Sequence, residues 1–105
     1  MNPVLARIKR CCLEERVLFT FKAGLELARD QLSEMEVIES LLNAQEVYKT
    51  IRSRQPGGEG KREKLFIIKS FSFDNLLIYS KGKFIAKGEE EVYYILISSK
   101  IALEG

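Results

Sequence analysis

This chain contains no histidine. Imidazole is the side chain that titrates closest to neutral pH and the commonest general acid or base. Any proton transfer here must therefore run on lysine, tyrosine or a carboxylate. Cysteine is nearly as scarce, and its two copies, Cys11 and Cys12, are adjacent. That spacing builds neither a disulfide framework nor a metal-ligand pair. With no histidine to complete a set, a zinc or haem site is not expected, and no cofactor is called for. The two cysteines read as small hydrophobes, at least one on the buried side of a helix. Long apolar runs are missing too: none approaches the roughly 18 residues that cross a bilayer. The opening MNPVLARIKRCC lacks the apolar stretch of a signal peptide. A cytoplasmic protein with no membrane partner is expected. There is no Walker-type loop, no GxGxxG and no Ser/His/Asp set. Gly57-Gly58-Glu59-Gly60 is not followed by a Lys-Ser/Thr helix start, so a phosphate cradle gains little support.

What the chain does have is an uneven distribution of charge. The net charge of +2 over 105 residues conceals it. Residues 1–45 carry six Lys/Arg against seven Asp/Glu, whereas Glu46 to Lys87 carry ten against four. A near-neutral front is joined to a back half with a local charge of about +6, a surface suited to polyanions such as RNA.

The length fits one domain, 1–105, with a helical part at 1–45 and a sheet part at 46–100. Pro3 suits the first turn of a helix capped by Asn2, and Val4, Leu5, Ile8, Cys11 and Cys12 fall on one face of a helix over 3–15. VLFTF (17–21) reads as a short strand or an extended link. Thr20 caps a second helix from Phe21 to about Arg29, broken at Asp30-Gln31. Ser33 to Glu36 form a capping box that opens a third helix ending near Asn43-Ala44. From Glu46 the period becomes strand-like. RQPGGEGKRE (54–63) reads as a mobile, charged loop. LFIIKS, LLIYSKGKFIA and VYYILISS read as strands joined by turns at SFDN (72–75) and KGEEE (87–91). The last strand is apolar at successive positions, so cover on both faces is expected. The fold class is α+β, with two or three N-terminal helices packed on one face of a twisted three- to four-stranded antiparallel sheet.

Residues two apart on a strand share a face. Leu77, Tyr79 and Lys81 therefore point one way, and Lys83 joins them if the strand stays regular through Gly82. On the last strand the same rule groups Tyr94, Leu96, Ser98 and Lys100. Lys69, Tyr79, Lys81 and Lys100 are expected to converge on one rim of the sheet, with Lys49, Arg52 and Arg54 approaching from the preceding segment. Such a group has a use in RNA cleavage. Attack by a 2′-hydroxyl on the adjacent phosphodiester needs a base, an acid and positive charge on the phosphorane oxygens, and no metal. Cationic neighbours can lower the pKa of a lysine or tyrosine towards general-base strength. The bland alternative is that strand-end lysines guard sheet edges and keep the chain soluble, that the tyrosines pack, and that KREK (61–64) is a solvated tether. A further alternative is a partner surface, with the edge of the last strand beside Ile101-Ala102-Leu103 accepting an added strand.

The order of an N-terminal helix, VLFTFKAGLELARDQLSEMEVIESLLNAQEVYKTIRSR, LFIIKS, LLIYSKGKF and VYYILISSK resembles the motility quorum-sensing regulator toxins. These are the MqsR-like group of RelE-type bacterial toxins, and the pattern is also similar to a sister family of small domains. The similarity spans roughly residues 5–100. It implies a helical front on a twisted antiparallel sheet, metal-independent cleavage of mRNA, and neutralisation by an antitoxin encoded alongside. It also implies a catalytic set of Lys49 (after Tyr48), Tyr79 and Lys100. The family's polar position on the first meander strand has Lys69 as its nearest counterpart. Arg52, Arg54, Lys69, Lys81 and Lys83 are then the candidates for holding phosphate. Relatives in the sister family carry His-Ala where this chain has Lys22-Ala23. That departure leaves open a member that binds RNA, or a protein, without cutting anything.

Overall fold

The computed structural model describes residues 2–56, 62–89 and 91–103, without the side chains of 54–56 and 62. Helix α1 spans Pro3–Leu13, strand β1 Val17–Phe19, α2 Phe21–Asp30, α3 Glu34–Asn43, β2 Lys49–Pro56, β3 Arg62–Phe71, β4 Leu77–Lys87 and β5 Glu91–Ile101. Each helix starts where its cap dictates. The Asn2 side chain accepts from the Val4 amide at 2.7 Å, and the Thr20 hydroxyl accepts from Ala23 at 3.1 Å. Ser33 and Glu36 close a reciprocal capping box, each side chain accepting from the other's amide. Such caps satisfy amides that have no partner inside the helix. Gln31, in the left-handed region at φ 57°, ends α2.

The sheet is larger than the sequence indicates and is mixed. Its order is β1-β5-β4-β3-β2. β1 pairs parallel to β5, through Val17↔Tyr94 and Phe19↔Leu96, while the other pairs are antiparallel. The part expected to be purely helical, 1–45, thus contributes a strand. A three-residue segment leaves little periodicity to read, and its pairing is decided some seventy-five residues away. The turn at 72–75 forms as expected, with Asn75 at φ 66°. Of the expected 54–63 loop, residues 54–56 and 62–63 belong to strands, and 57–61 lie outside the described residues.

The core lies between the three helices and one face of the sheet. Leu5, Ile8, Ala23, Leu27, Val37 and Leu41 pack against Phe66, Ile68, Ile78, Tyr94 and Leu96. Cys11 and Cys12 are both buried in this cluster. Burial pushes the Cys12 thiol up to about 12, so it stays protonated and unreactive. Gly82 also faces the core, and the Tyr94 ring lies across it. Phe84 stacks edge-to-face on Tyr94, with ring centroids 5.3 Å apart. Cover on both faces of β5 is not found: Tyr93 and Ile95, on the side away from the core, are only half-buried.

The outer edge of β5 is closed rather than open. β1 pairs with it through Leu96. Beyond that point, α2 takes over the role of a neighbouring strand. The Ser99 amide donates to Glu26 at 3.0 Å and the Ile101 amide donates to Asp30 at 2.9 Å. Carboxylates four apart on a helix meet amides two apart on a strand, because both spacings are about 6 to 7 Å. An added strand at Ile101-Ala102-Leu103 would have to displace these bonds. The sheet's outer strands are β1 and β2.

Candidate functional site

Residues directly opposite each other on paired strands share a face. On the face away from the helices, Lys69 pairs with Tyr79 and Tyr79 with Lys100, forming one row across β3, β4 and β5. The next row is Lys49, Ile67, Lys81 and Ser98 across β2 to β5. Lys83 follows two residues further along β4, because β4 keeps its alternation through Gly82.

Lys100 reaches this row through an irregularity. The register between β4 and β5 shifts between Lys81↔Ser98 and Gly82↔Leu96, leaving Ile97 as an extra residue on β5. One extra residue inverts the alternation beyond it. The expected grouping of Tyr94, Leu96, Ser98 and Lys100 on one face is therefore corrected. Tyr94 and Leu96 face the helices, whereas Ser98 and Lys100 pair with the open-face residues Lys81 and Tyr79. Without the bulge, Lys100 would point into the core.

Each of three tyrosines carries a lysine over its ring. The Nζ atoms of Lys69, Lys100 and Lys87 lie 4.2, 5.2 and 5.4 Å from the ring centroids of Tyr48, Tyr79 and Tyr93. Such contacts contribute about 0.5–1 kcal/mol each at exposed sites. They leave the ammonium charge unneutralised. Lys83 differs: its Nζ contacts both Glu63 carboxylate oxygens at 2.9 Å, so its charge is already matched. Lys69, Tyr79 and Lys100, with Ile101, Ala102 and Leu103, line a cavity of about 200 Å³. Lys69 also lines a cavity of about 700 Å³ beside Asn43, Glu46 and Phe71. Lys100, Ile101 and Leu103 also line one of about 460 Å³ with Arg29 and Asp30. Shared walls join the three into one groove along the end of the sheet.

The Tyr79 hydroxyl does not become more acidic among these cations. Burial raises its pKa, and the Glu26 carboxylate adds to the effect. The expected activation of this tyrosine by neighbouring lysines is thus overturned. It is a phenol at neutral pH, able to donate a proton or a hydrogen bond. Glu26 itself is held below the ordinary carboxylate range. Burial pushes it up, but bonds from the Ser98 hydroxyl (2.7 Å) and the Ser99 amide, with Lys22 at 3.4 Å, outweigh that.

Of the residues singled out from the sequence, Lys49, Lys69, Tyr79, Lys81, Lys83 and Lys100 occupy the open face. Arg52 does not. It pairs with Lys64, in the alternation of Thr50↔Phe66, on the face that carries the helices. The Arg54 side chain lies outside the described residues. Sequence reasoning passed over Tyr48 as a partner for Lys69, and Glu26 as the carboxylate beside Tyr79. The i,i+4 spacing of Glu26 and Asp30 was a visible signal, but nothing local says that their partners lie on β5. Among the described residues no group of three or more potential metal ligands occurs, and no helix is long and apolar enough to cross a membrane. Compared with protein-family models, curated proteins and solved structures, the chain matches none of them.

Proposed function

We propose that this chain is a toxin-like, metal-independent endoribonuclease that acts on mRNA in the cytoplasm and is held in check by a partner antitoxin. The observation that carries the reading is the Lys69-Tyr79-Lys100 row, with Lys49 and Lys81 in the row beside it. A phosphodiester laid across Tyr79 has an ammonium on either side. Bases of a single strand find the apolar and aromatic surfaces between the lysines. In this scheme the 2′-hydroxyl attacks its own 3′-phosphate, leaving a 2′,3′-cyclic phosphate and a 5′-hydroxyl. Lys100 and Lys69 neutralise the phosphorane oxygens. Tyr79, protonated, supplies the proton to the departing 5′-oxygen. Lys49, on the outer strand, takes the 2′-proton in its neutral form.

The raised pKa of Tyr79 favours a second reading, RNA binding without cleavage, since it withdraws the tyrosine from the role of base. Tightly controlled expression of the wild type and of a Tyr79→Phe/Lys100→Ala double variant separates the readings. Cleavage predicts growth arrest and transcripts with new 5′-hydroxyl ends for the wild type alone. Salt-sensitive RNA retention without products supports the second reading. Equal growth, intact transcripts and no RNA retention remove both.

A further inference from the structure

A second basic cluster lies far along the chain from the Lys-Tyr row, and that row makes no use of it. Arg7, Arg10, Cys11, Arg16, Phe84 and Val92 line a cavity of about 160 Å³ beside the C-terminal end of α1. A water's share of liquid volume is about 30 Å³, so there is room for a tetrahedral oxyanion with some of its water. Each guanidinium is fixed differently. Arg7 lies over the Phe84 ring with its central carbon 4.2 Å from the centroid, a stacking mode that leaves in-plane N–H donors free. Arg16 gives Nη2 to Glu14 at 2.6 Å. Its Nε–H is buried and has no partner among the described residues. A buried donor without a partner costs about 1–3 kcal/mol, so a native structure that keeps one has a use for it or fills it. Arg10 stands in the last turn of α1. The helix dipole accounts for one cation there, but not for three guanidiniums around one cavity. Cys11 contributes wall rather than chemistry: its Sγ donates to the Val92 carbonyl at 3.5 Å.

The charge does not close without a ligand. Glu14 is the one carboxylate bonded to the trio among the described residues, which leaves two guanidinium charges unmatched. Guanidinium forks suit phosphate oxygens in paired N–H contacts, and a terminal phosphate carries about −1.5 to −2 at neutral pH. We infer that Arg7, Arg10 and Arg16 form an anion site that takes a phosphate group, either free or at the end of a nucleotide chain. The inference does not depend on the proposed ribonuclease activity.

Side-chain Nε–Hε resonances of arginine give a direct readout. Titration of the wild type with inorganic phosphate, against sodium chloride at matched ionic strength, is expected to move the Arg16, Arg7 and Arg10 Nε–Hε signals along a saturating curve. Arg10→Ala, an exposed substitution, is expected to weaken that binding about tenfold. Arg16→Lys, which keeps the charge and removes the fork, should do the same. Lys69→Ala/Lys100→Ala should leave it unchanged. A second arm compares a dinucleotide bearing a 5′-phosphate with its 5′-hydroxyl counterpart. Preference for the former assigns the site to a chain end, and equal indifference to both beside phosphate binding assigns it to the free ion. The inference is overturned if the shifts follow ionic strength without saturating. It is also overturned if saturable binding survives Arg10→Ala and is lost with the lysines.

Discussion

Replacing Gly82 with alanine would place a methyl group inside an aromatic ring. A Cβ built there lies 2.6 Å from Cζ of Tyr94 and 2.7 Å from its Cε2 and hydroxyl oxygen. Carbon atoms in contact sit about 3.5–4.0 Å apart, so one of the two groups must move by roughly an ångström. The ring has nowhere easy to go. Tyr94 is fully buried and is held edge-to-face by Phe84, which in turn meets Phe66 at 5.8 Å. Overpacking of this kind costs about 1–3 kcal/mol. The alanine also restricts the unfolded chain, which offsets about 0.4–1 kcal/mol. The net expectation is a loss on the order of 1–2 kcal/mol, equivalent to a fall in melting temperature of roughly 5–15 °C for a domain of this size. Urea unfolding should show a lower midpoint with an unchanged slope. Gly24, inside α2 and with nothing within 4 Å of where a Cβ would stand, is the matched control. Gly24→Ala should stabilise by about 0.5–1 kcal/mol. A double-variant cycle with Tyr94→Ala should show strong coupling, because removing the ring removes the clash. A Gly82→Ala protein as stable as the wild type, or additive with Tyr94→Ala, would refute the reasoning.

Other expectations follow from single contacts. The Tyr94 hydroxyl is buried without a partner among the described residues, so Tyr94→Phe should leave stability unchanged or raise it by about 1 kcal/mol, read from denaturant midpoints. Glu26 has a depressed pKa in the folded chain. Its contribution is therefore fully present above the unfolded value of about 4.3 and is lost as pH falls through the lower folded value. Glu26→Gln should flatten the acid limb of a stability profile between pH 5 and about pH 2, and an unaltered limb would count against the contact. Ser33→Ala should cost about 1 kcal/mol by opening the capping box, measurable by thermal melting. If RNA lies on the open face, Lys69→Ala and Lys100→Ala should each reduce the slope of log affinity against log salt by about 1, and Arg52→Ala by much less.

Features carried by neighbouring residues were legible in the sequence. Asn2, Thr20 and the Ser33-Glu36 box announce the helix starts, since capping acts over two or three residues. The alternation of Tyr79, Lys81 and Lys83 against Ile78, Ser80 and Gly82 was visible because β4 is regular. The sites that escaped depend on distant partners. No local pattern in VLF announces a parallel strand beside β5, and none in Glu26 and Asp30 announces the β5 amides. Arg52 was grouped with Lys49 by proximity in sequence, although an odd spacing of three on a strand puts them on opposite faces.

The sequence by itself determined the helices, the basic character of the back half, the lack of imidazole and the common face of Tyr79 and Lys81. These depend on composition and on periods of two or 3.6 residues. The tertiary structure alone decided that Lys100 belongs with Tyr79, because the extra residue at Ile97 exists only as a relation between β5 and β4. It also decided that Tyr79 remains a protonated phenol beside Glu26, and that Arg7, Arg10 and Arg16 surround one cavity with Phe84. Register, burial and the meeting of side chains from separate elements are set by long-range packing, which a one-dimensional pattern does not encode.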